Sequence, residues 1–356
     1  MSRRKQKRQS GWELIFLFIM LVLALAYALY SRQEQAAPPL AAEGSLEVHF
    51  IDVGQADAAL VICDGHYMLI DGGNAEDSRL VYAYLEEHGA KHLDCMVATH
   101  AHEDHVGGLS GALNYASVDA ALCPVRSYDS KGFQNMVKYL EKQGKSITVP
   151  RPGDSFGLGS ARVEILGPVQ EYDDANNTSI VLRIDYGETS FLFTGDMETG
   201  AEADLLDSGA NVRATVLKVG HHGSDTSTGY RFLREVMPEY AVISVGEGNK
   251  YGHPSEKVLS RFRDAGAQVY RTDLQGHIVA KSDGKTVTFT TEKEAGAANP
   301  TGDSTLQIYI GNAGSKKFHL PDCASVESIR KENRVELSSR EQAVAEGYKP
   351  CGRCKP

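Results

Sequence analysis

Three imidazoles and a carboxylate fall within the six residues His100 to His105 of the segment THAHEDHVGG, Thr99 to Gly108, directly after the apolar run LDCMVA. In an extended loop, residues two apart point the same way, so His100 and His102 can share one cation while Asp104 and His105 turn toward a second. A solvated histidine-rich loop is the weaker reading, since such a ligand density after a strand is costly to assemble without a metal. Two more loops also follow strand-like runs. FLFTGD brings Asp196 to a strand end, where one carboxylate suits bridging two cations. VLKVGHHGS brings His221 and His222, and the spacing does not decide which of them is the ligand. The three loops form a dinuclear metallohydrolase pattern. Two divalent ions roughly 3.5–4 Å apart activate a shared water and clamp the attacked group, which suits in-line displacement at phosphorus. Asp104 and Asp196 would hold the metals and accept the nucleophile's proton. Lys218, Ser224 and His253 are candidates for stabilising the non-bridging oxygens or the leaving group. Lys218 reads equally well as an outward strand residue in VLKVG. His253 is presented by the turn before Pro254. Asp52 and Asp71, at strand ends beside glycines, read as loop organisers near the metals rather than ligands, and His49, His66, His88, His92 and His277 as surface or packing residues.

A second constellation lies near the C-terminus. His319 and Cys323 form H-x-x-x-C, Cys351 and Cys354 form C-x-x-C, and 27 residues separate the pairs. One imidazole and three thiolates suit a tetrahedral structural zinc, the staple a fragment of about fifty residues needs to fold. Disulfide bonding is the alternative, but three cysteines cannot all pair, and Cys63, Cys95 and Cys123 fall in predicted strands.

The elements that must position these groups alternate in short runs. LEVHFIDV, DAALVIC and HYMLID read as closely spaced strands, SRLVYAYLEEHG as an amphipathic helix closed by Gly89, and ten further strands follow from LDCMVATH to KTVTFT. Over residues 45–290 this pattern predicts two sheets packed face to face with helices outside. Polar stretches rich in Ala, Gly and Pro at 31–44 and 291–304 read as linkers, the second setting off a small domain at 305–356. At the other end, residues 1–11 carry five cations and no acid, and Leu14 to Tyr30 is uncharged. Segment 12–30 is just long enough to cross a hydrocarbon core of roughly 30 Å. The cation bias places the N-terminus in the cytoplasm and the remainder outside. The apolar run is longer than a usual signal core, so a single-pass anchor is favoured over a cleaved signal peptide, which would give a secreted protein.

With these elements in place the chain resembles the metallo-β-lactamase superfamily over residues 46–290. HFIDVGQADAALV, LIDGG, THAHEDHVGGL, NNTSIVLRIDYG, FLFTGD, LKVGHHGS, YGHPS and VYRTDLQGHI together look like the extracytoplasmic hydrolase domain of ComEC-type competence proteins. The resemblance implies a four-layer αββα sandwich with metals at one edge, between strand-end loops. It departs from the family in having Ala56 within Gly54-Gln55-Ala56-Asp57, where a glycine is usual, and in having no multipass channel, so that DNA transport does not carry over. No histidine occurs from Val106 to Gly195, where many members supply one; Asn176-Asn177-Thr178-Ser179 stands there instead. Site one would then comprise His100, His102 and Asp196 completed by water or an Asn side chain, and site two Asp104, His105, Asp196 and His221 or His222. Fewer imidazoles open site one to manganese as well as zinc. The tail resembles the zinc-binding domain of the Ada DNA-repair protein, above all in EGYKPCGRCKP. His319 replaces a cysteine at the first ligand position, which argues against methyl transfer.

The net charge of −10 averages +5 over residues 1–10, +3 over residues 305–356 and −18 between them. Bound dications locally reverse that field, so acidity argues only against indiscriminate duplex binding by the central segment. The expected function is a membrane-anchored, outward-facing hydrolase holding two Zn or Mn ions, with one further structural Zn and no nucleotide cofactor. Its substrate is DNA or another phosphodiester. The alternatives are a hydrolase of another ester, lactone or β-lactam class, or a non-catalytic binder whose tail recognises nucleic acid or cell-surface polymer through Lys316, Lys317, Arg330, Lys331, Arg334 and Arg353.

Overall fold

The protein is described by a computed structural model covering residues 44–294, 309–319, 323–337 and 340–354. The expected anchor at 12–30, the first linker apart from Gly44 and residues 295–304 of the second lie outside the described residues, among which no helix is long and apolar enough to cross a membrane.

The chain opens as an antiparallel meander of β1 (Leu46–Phe50), β2 (Ala58–Cys63) and β3 (His66–Gly72). β2 and β3 are joined by Asp64-Gly65, both at positive φ, the two-residue turn whose twist matches the strands it joins. The helix Ser78–Glu87 then carries the chain over one face, so β4 (His92–Val97) joins β3 in parallel. β5 (Ser117–Leu122) and the two-residue β6 (Ile147–Thr148) continue in the same sense. A second sheet begins with β7 (Ser155–Leu158), β8 (Ala161–Gly167), β9 (Val181–Tyr186) and β10 (Thr189–Phe193), all antiparallel. It turns parallel through β11 (Val216–Lys218), β12 (Tyr240–Ile243) and β13 (Gln268–Arg271). The chain then returns to the first sheet, laying β14 (Ile278–Ser282) against β1 and β15 (Val287–Thr291) against β14. The sheet orders are β15-β14-β1-β2-β3-β4-β5-β6 and β13-β12-β11-β10-β9-β8-β7.

Alternation along these strands sends one set of side chains between the sheets, where Val48, Phe50, Val61, Ile165, Ile184 and Phe193 share one core. The opposite faces pack on helices. Leu60, Leu69 and Met96 meet Val81, Leu113 and Met136 on one side, while Leu192, Leu217 and Val269 meet Leu205, Phe232 and Phe262 on the other. The result is a four-layer αββα sandwich.

Residues 309–354 form a separate small sheet from β16 (Tyr309–Asn312), β17 (Lys317–His319), β18 (Arg334–Leu337) and β19 (Lys349–Pro350), ordered β18-β16-β17-β19. Among the described residues, Tyr309, Phe318, Leu337, Ala343 and Tyr348 form one buried cluster of this domain, and Val326 joins Cys323 and Cys351 in a second. The Tyr309 hydroxyl reaches into the sandwich, bonding Asp264 Oδ2 at 2.7 Å and Ser260 Oγ at 3.1 Å on the helix Glu256–Ala265.

Candidate metal centre

The ends of β3, β4, β10 and β11 meet at one edge of the sandwich, and each delivers part of the cluster. The loop after β4 is fixed from behind. Asp71 at the end of β3 accepts the Thr99 backbone N–H and hydroxyl, both at 2.7 Å, and Thr99 O accepts Ile180 N–H at 2.8 Å. His102 then precedes the short helix Glu103–Val106, whose turn swings Asp104 and His105 inward. That helix can lie close to β3 only because Gly108 lacks a side chain, as a Cβ there would run into the Gly72 carbonyl. Past β10, Asp196 is held by its N–H on Ser179 Oγ at 3.0 Å. Past β11, His221 and His222 adopt φ of 50° and 52°, and Asp71 stands at 57°. Non-glycine residues in the left-handed region cost energy and concentrate at functional sites.

The seven predicted ligands converge. His105 Nε2 lies 3.3 Å from Asp196 Oδ1, and His222 Nε2 lies 3.3 Å from Asp104 Oδ2. Donor atoms of Asp104, His105, Asp196 and His222 all fall within 4.8 Å of one another, one compact ligand group. The other oxygen of Asp196 faces His221 Nε2 at 3.6 Å, His222 Nε2 at 3.8 Å and His100 Nε2 at 3.9 Å, with His102 Nδ1 3.1 Å from His100 Nε2. Asp196 therefore stands between two sets of imidazoles. His222 belongs with Asp104 and His105, and His221 approaches Asp196 with its far nitrogen 3.6 Å from Glu198.

Oxygens behind the imidazoles fix how they point. His105 Nδ1 donates to Asp71 Oδ2 at 2.8 Å, and His222 Nδ1 lies 3.1 Å from Ser244 O and 3.3 Å from Asp57 Oδ1. Both histidines are thereby oriented with Nε2 toward the cluster. Burial lowers the affinity of these imidazoles for a proton, but Asp196 and Asp57 outweigh it and lift His222 to about 10; Asp196 and Asp71 raise His105 well above its ordinary value. Burial likewise works against ionised Asp104, yet the neighbouring His222 and His105 hold it down at about 2. The carboxylates thus create a strong demand for positive charge at this edge, which bound dications satisfy in place of protons. The fit to metal is independent of that electrostatic argument: His105 Nε2, His222 Nε2 and Asp196 Oδ1 are buried with no hydrogen-bond partner, a costly arrangement unless a cation coordinates them.

The remaining predicted residues are placed differently. Lys218 is buried, its Nζ bonding Asp57 Oδ2 at 2.7 Å and Val219 O at 3.1 Å, so it points neither outward nor toward open space. Ser224 is buried and bonds Thr226 Oγ1 at 3.0 Å within its own loop. The His253 ring sits 5.8 Å from that of His221, and its Nδ1 has no partner. Burial and the two neighbouring imidazoles lower its pKa. Asp71 braces His105. Asp57 and Glu198, which sequence reasoning did not single out, brace His222 and His221. Asp57 lies within the quoted GQAD motif, whereas nothing about Glu198 in the sequence marks it.

In the tail, ligand atoms of His319, Cys323, Cys351 and Cys354 come within 4.8 Å of one another, and His319 Nδ1 is buried without a partner. The strands β17 and β19 run side by side and so bring the first pair to the second. This donor set fits tetrahedral zinc.

A four-layer sandwich with a two-sided histidine–aspartate cluster at its strand ends defines a metal-dependent hydrolase. Residues 51–247, more than half of the chain, match the Metallo-beta-lactamase superfamily, and the chain belongs to it. Residues 297–356 match the metal binding domain of Ada. The chain is similar to ComE operon protein 3 of Bacillus subtilis (strain 168), at 29% identity over 312 residues, 78% of this chain and 40% of the relative. It is similar also to competence protein ComA of Neisseria gonorrhoeae, at 32% identity over 260 residues, 72% of this chain and 34% of the relative. Recombination protein 2 of Haemophilus influenzae is 31% identical over 240 residues, 65% of this chain and 28% of that protein. The chain thus spans two fifths or less of the length of these relatives.

Proposed function

We propose that this hydrolase is a dinuclear phosphodiesterase acting on DNA, tethered to a membrane with its catalytic domain outside. The observation that supports it best is the position of Asp196, one buried carboxylate between two groups of imidazoles, as a bridging ligand requires. Divalent ions bound there supply Lewis acidity, activation of water and neutralisation of phosphate charge. His105, His222, Asp104 and Asp196 would hold one ion, and His100, His102 and His221 would serve a second. Asp104, whose side chain is 32% exposed, is the cluster carboxylate open to the adjoining groove and accepts the proton of the attacking water. His253, held neutral beside His221, is placed to orient the departing group by hydrogen bonding rather than to protonate it. Lys218 and Ser224 act by position: Lys218 fixes Asp57 behind His222, and Ser224 shapes the loop that carries the histidines.

The DNA substrate is supported by similarity to competence proteins, and the tether by the uncharged run from Leu14 to Tyr30 behind five cations. The purified full chain loaded with Mn²⁺ is expected to degrade single- or double-stranded DNA, and Asp196→Ala to abolish degradation together with metal binding at both sites. Failure to cleave DNA or a nitrophenyl phosphodiester with any divalent metal would end the nuclease reading. Protease protection in intact cells tests the tether: the catalytic domain should be cut from outside.

A further inference from the structure

The metal cluster is flanked by two aromatic rings that the chemistry does not use. Tyr128 is 37% exposed and Tyr251 is 60% exposed. Isolated exposed apolar groups are ordinary, but these two are not scattered. Tyr128 leans on buried Phe133, ring centroids 6.2 Å apart, and lies 6.3 Å from the ring of His102. Tyr251 lies parallel to His253, 25° between planes and 5.7 Å between centroids, and His253 in turn meets His221. One ring thus borders the His100–His102 side of the cluster and the other borders the His221 side. Each is backed by a neighbouring ring.

The charge around the site points the same way. A groove of about 600 Å³ runs from Tyr251 to Asp104, and Asp52, Glu76, Asp77 and Glu103 line it against a single cation, Lys250, whose Nζ sits 5.2 Å from the Tyr251 ring centroid. A cationic track that grips a phosphate backbone is therefore missing from this groove. Stacking on a base face needs no such track, because every nucleobase offers a π-surface regardless of backbone charge.

We infer that Tyr128 and Tyr251 are the base-stacking residues of the site, holding unpaired nucleobases on either side of the phosphodiester presented to the metals. This rests on the phosphodiesterase reading above. It adds a selection rule: bases must be unstacked from their own helix to be held, so single strands and frayed ends are preferred to closed duplex.

The test uses the full metal-loaded chain, a single-stranded oligonucleotide, and an oligonucleotide of equal length whose sites are abasic. Binding is read by fluorescence anisotropy in Ca²⁺ and cleavage in Mn²⁺. Tyr128→Ala and Tyr251→Ala are each expected to weaken binding and raise KM for the base-bearing strand roughly tenfold. The same variants should leave the abasic strand within twofold of wild type, and Tyr→Phe at either position should restore wild-type behaviour. Equal loss on both strands, or no loss on either, overturns the stacking assignment and leaves the nuclease reading intact. Stacking-dependent binding without cleavage by any divalent metal sinks the nuclease reading alone. Absence of both binding and cleavage removes the two together.

Discussion

Lys218 shows what an isolated residue can hide. Its strand position in VLKVG is compatible with a group reaching toward substrate or toward solvent, yet its ammonium is buried against Asp57, 161 positions away in sequence. Burial alone would raise the Asp57 pKa, but Lys218 and His222 hold it well below the usual carboxylate range. Removing one partner leaves an uncompensated buried charge. Lys218→Met is therefore expected to destabilise the protein by about 3–5 kcal/mol, and the double variant Asp57→Leu/Lys218→Met to recover part of that loss, both read by urea denaturation. A normally stable Lys218→Met with kcat lost would instead assign Lys218 to the substrate. The grouping of His100, His102, Asp104 and His105 was legible because one loop carries them all. The support from Asp57 and Glu198 was not, since it depends on which strand ends the sheets bring together. The same juxtaposition separates His221 from His222, which neighbouring positions in sequence could not do.

At the scale of elements, the long alternating strands and the strand-to-loop placement of each motif were readable. β6 and β7 escaped, being two and four residues long with mixed burial and so carrying too little periodicity to register. The helix Thr199–Asp207 offers a further check. Its Glu202 is buried and accepts the backbone N–H groups of Thr228 and Gly229, fastening the loop that follows the His221-His222 pair. Burial outweighs those two donors and pushes its pKa up to about 7 from an ordinary 4.5. Between those values the folded protein binds more protons than the unfolded chain, so stability falls as pH rises, by about 3 kcal/mol across the window. Glu202→Gln cannot ionise. Its melting temperature relative to wild type is expected to be markedly higher at pH 8 than at pH 5, with metals held constant. An identical difference at the two pH values would show that Glu202 does not titrate in this range.

For the whole molecule, two unrelated ligand spacings are what suggest a hydrolase body and a separate metal-binding tail, and charge taken segment by segment is what shows the acidic middle. The docking of the parts was not readable, because pairs such as Tyr309 and Asp264 are related by no local pattern. The tail's described core, two small clusters, is of a size that ordinarily needs a metal staple to fold. His319→Ala or Cys351→Ser is expected to release one zinc ion per chain and render residues 309–354 sensitive to limited proteolysis, while the sandwich keeps its own metal content and its protease resistance. Retention of a protected tail after zinc loss would show that docking alone folds it.

Tyr309 gives that docking a wider meaning. Its hydroxyl shares Asp264 with Tyr230, and Arg261, one turn earlier on the same helix, donates to the Ser227 and Thr228 carbonyls. The two halves are consequently not interchangeable cassettes. A homologous hydrolase domain grafted onto this tail keeps this bond only if it supplies an acid at the Asp264 position, and a foreign tail only if it arrives with a hydroxyl, so recombination between relatives is constrained at a contact that neither set of metal ligands makes.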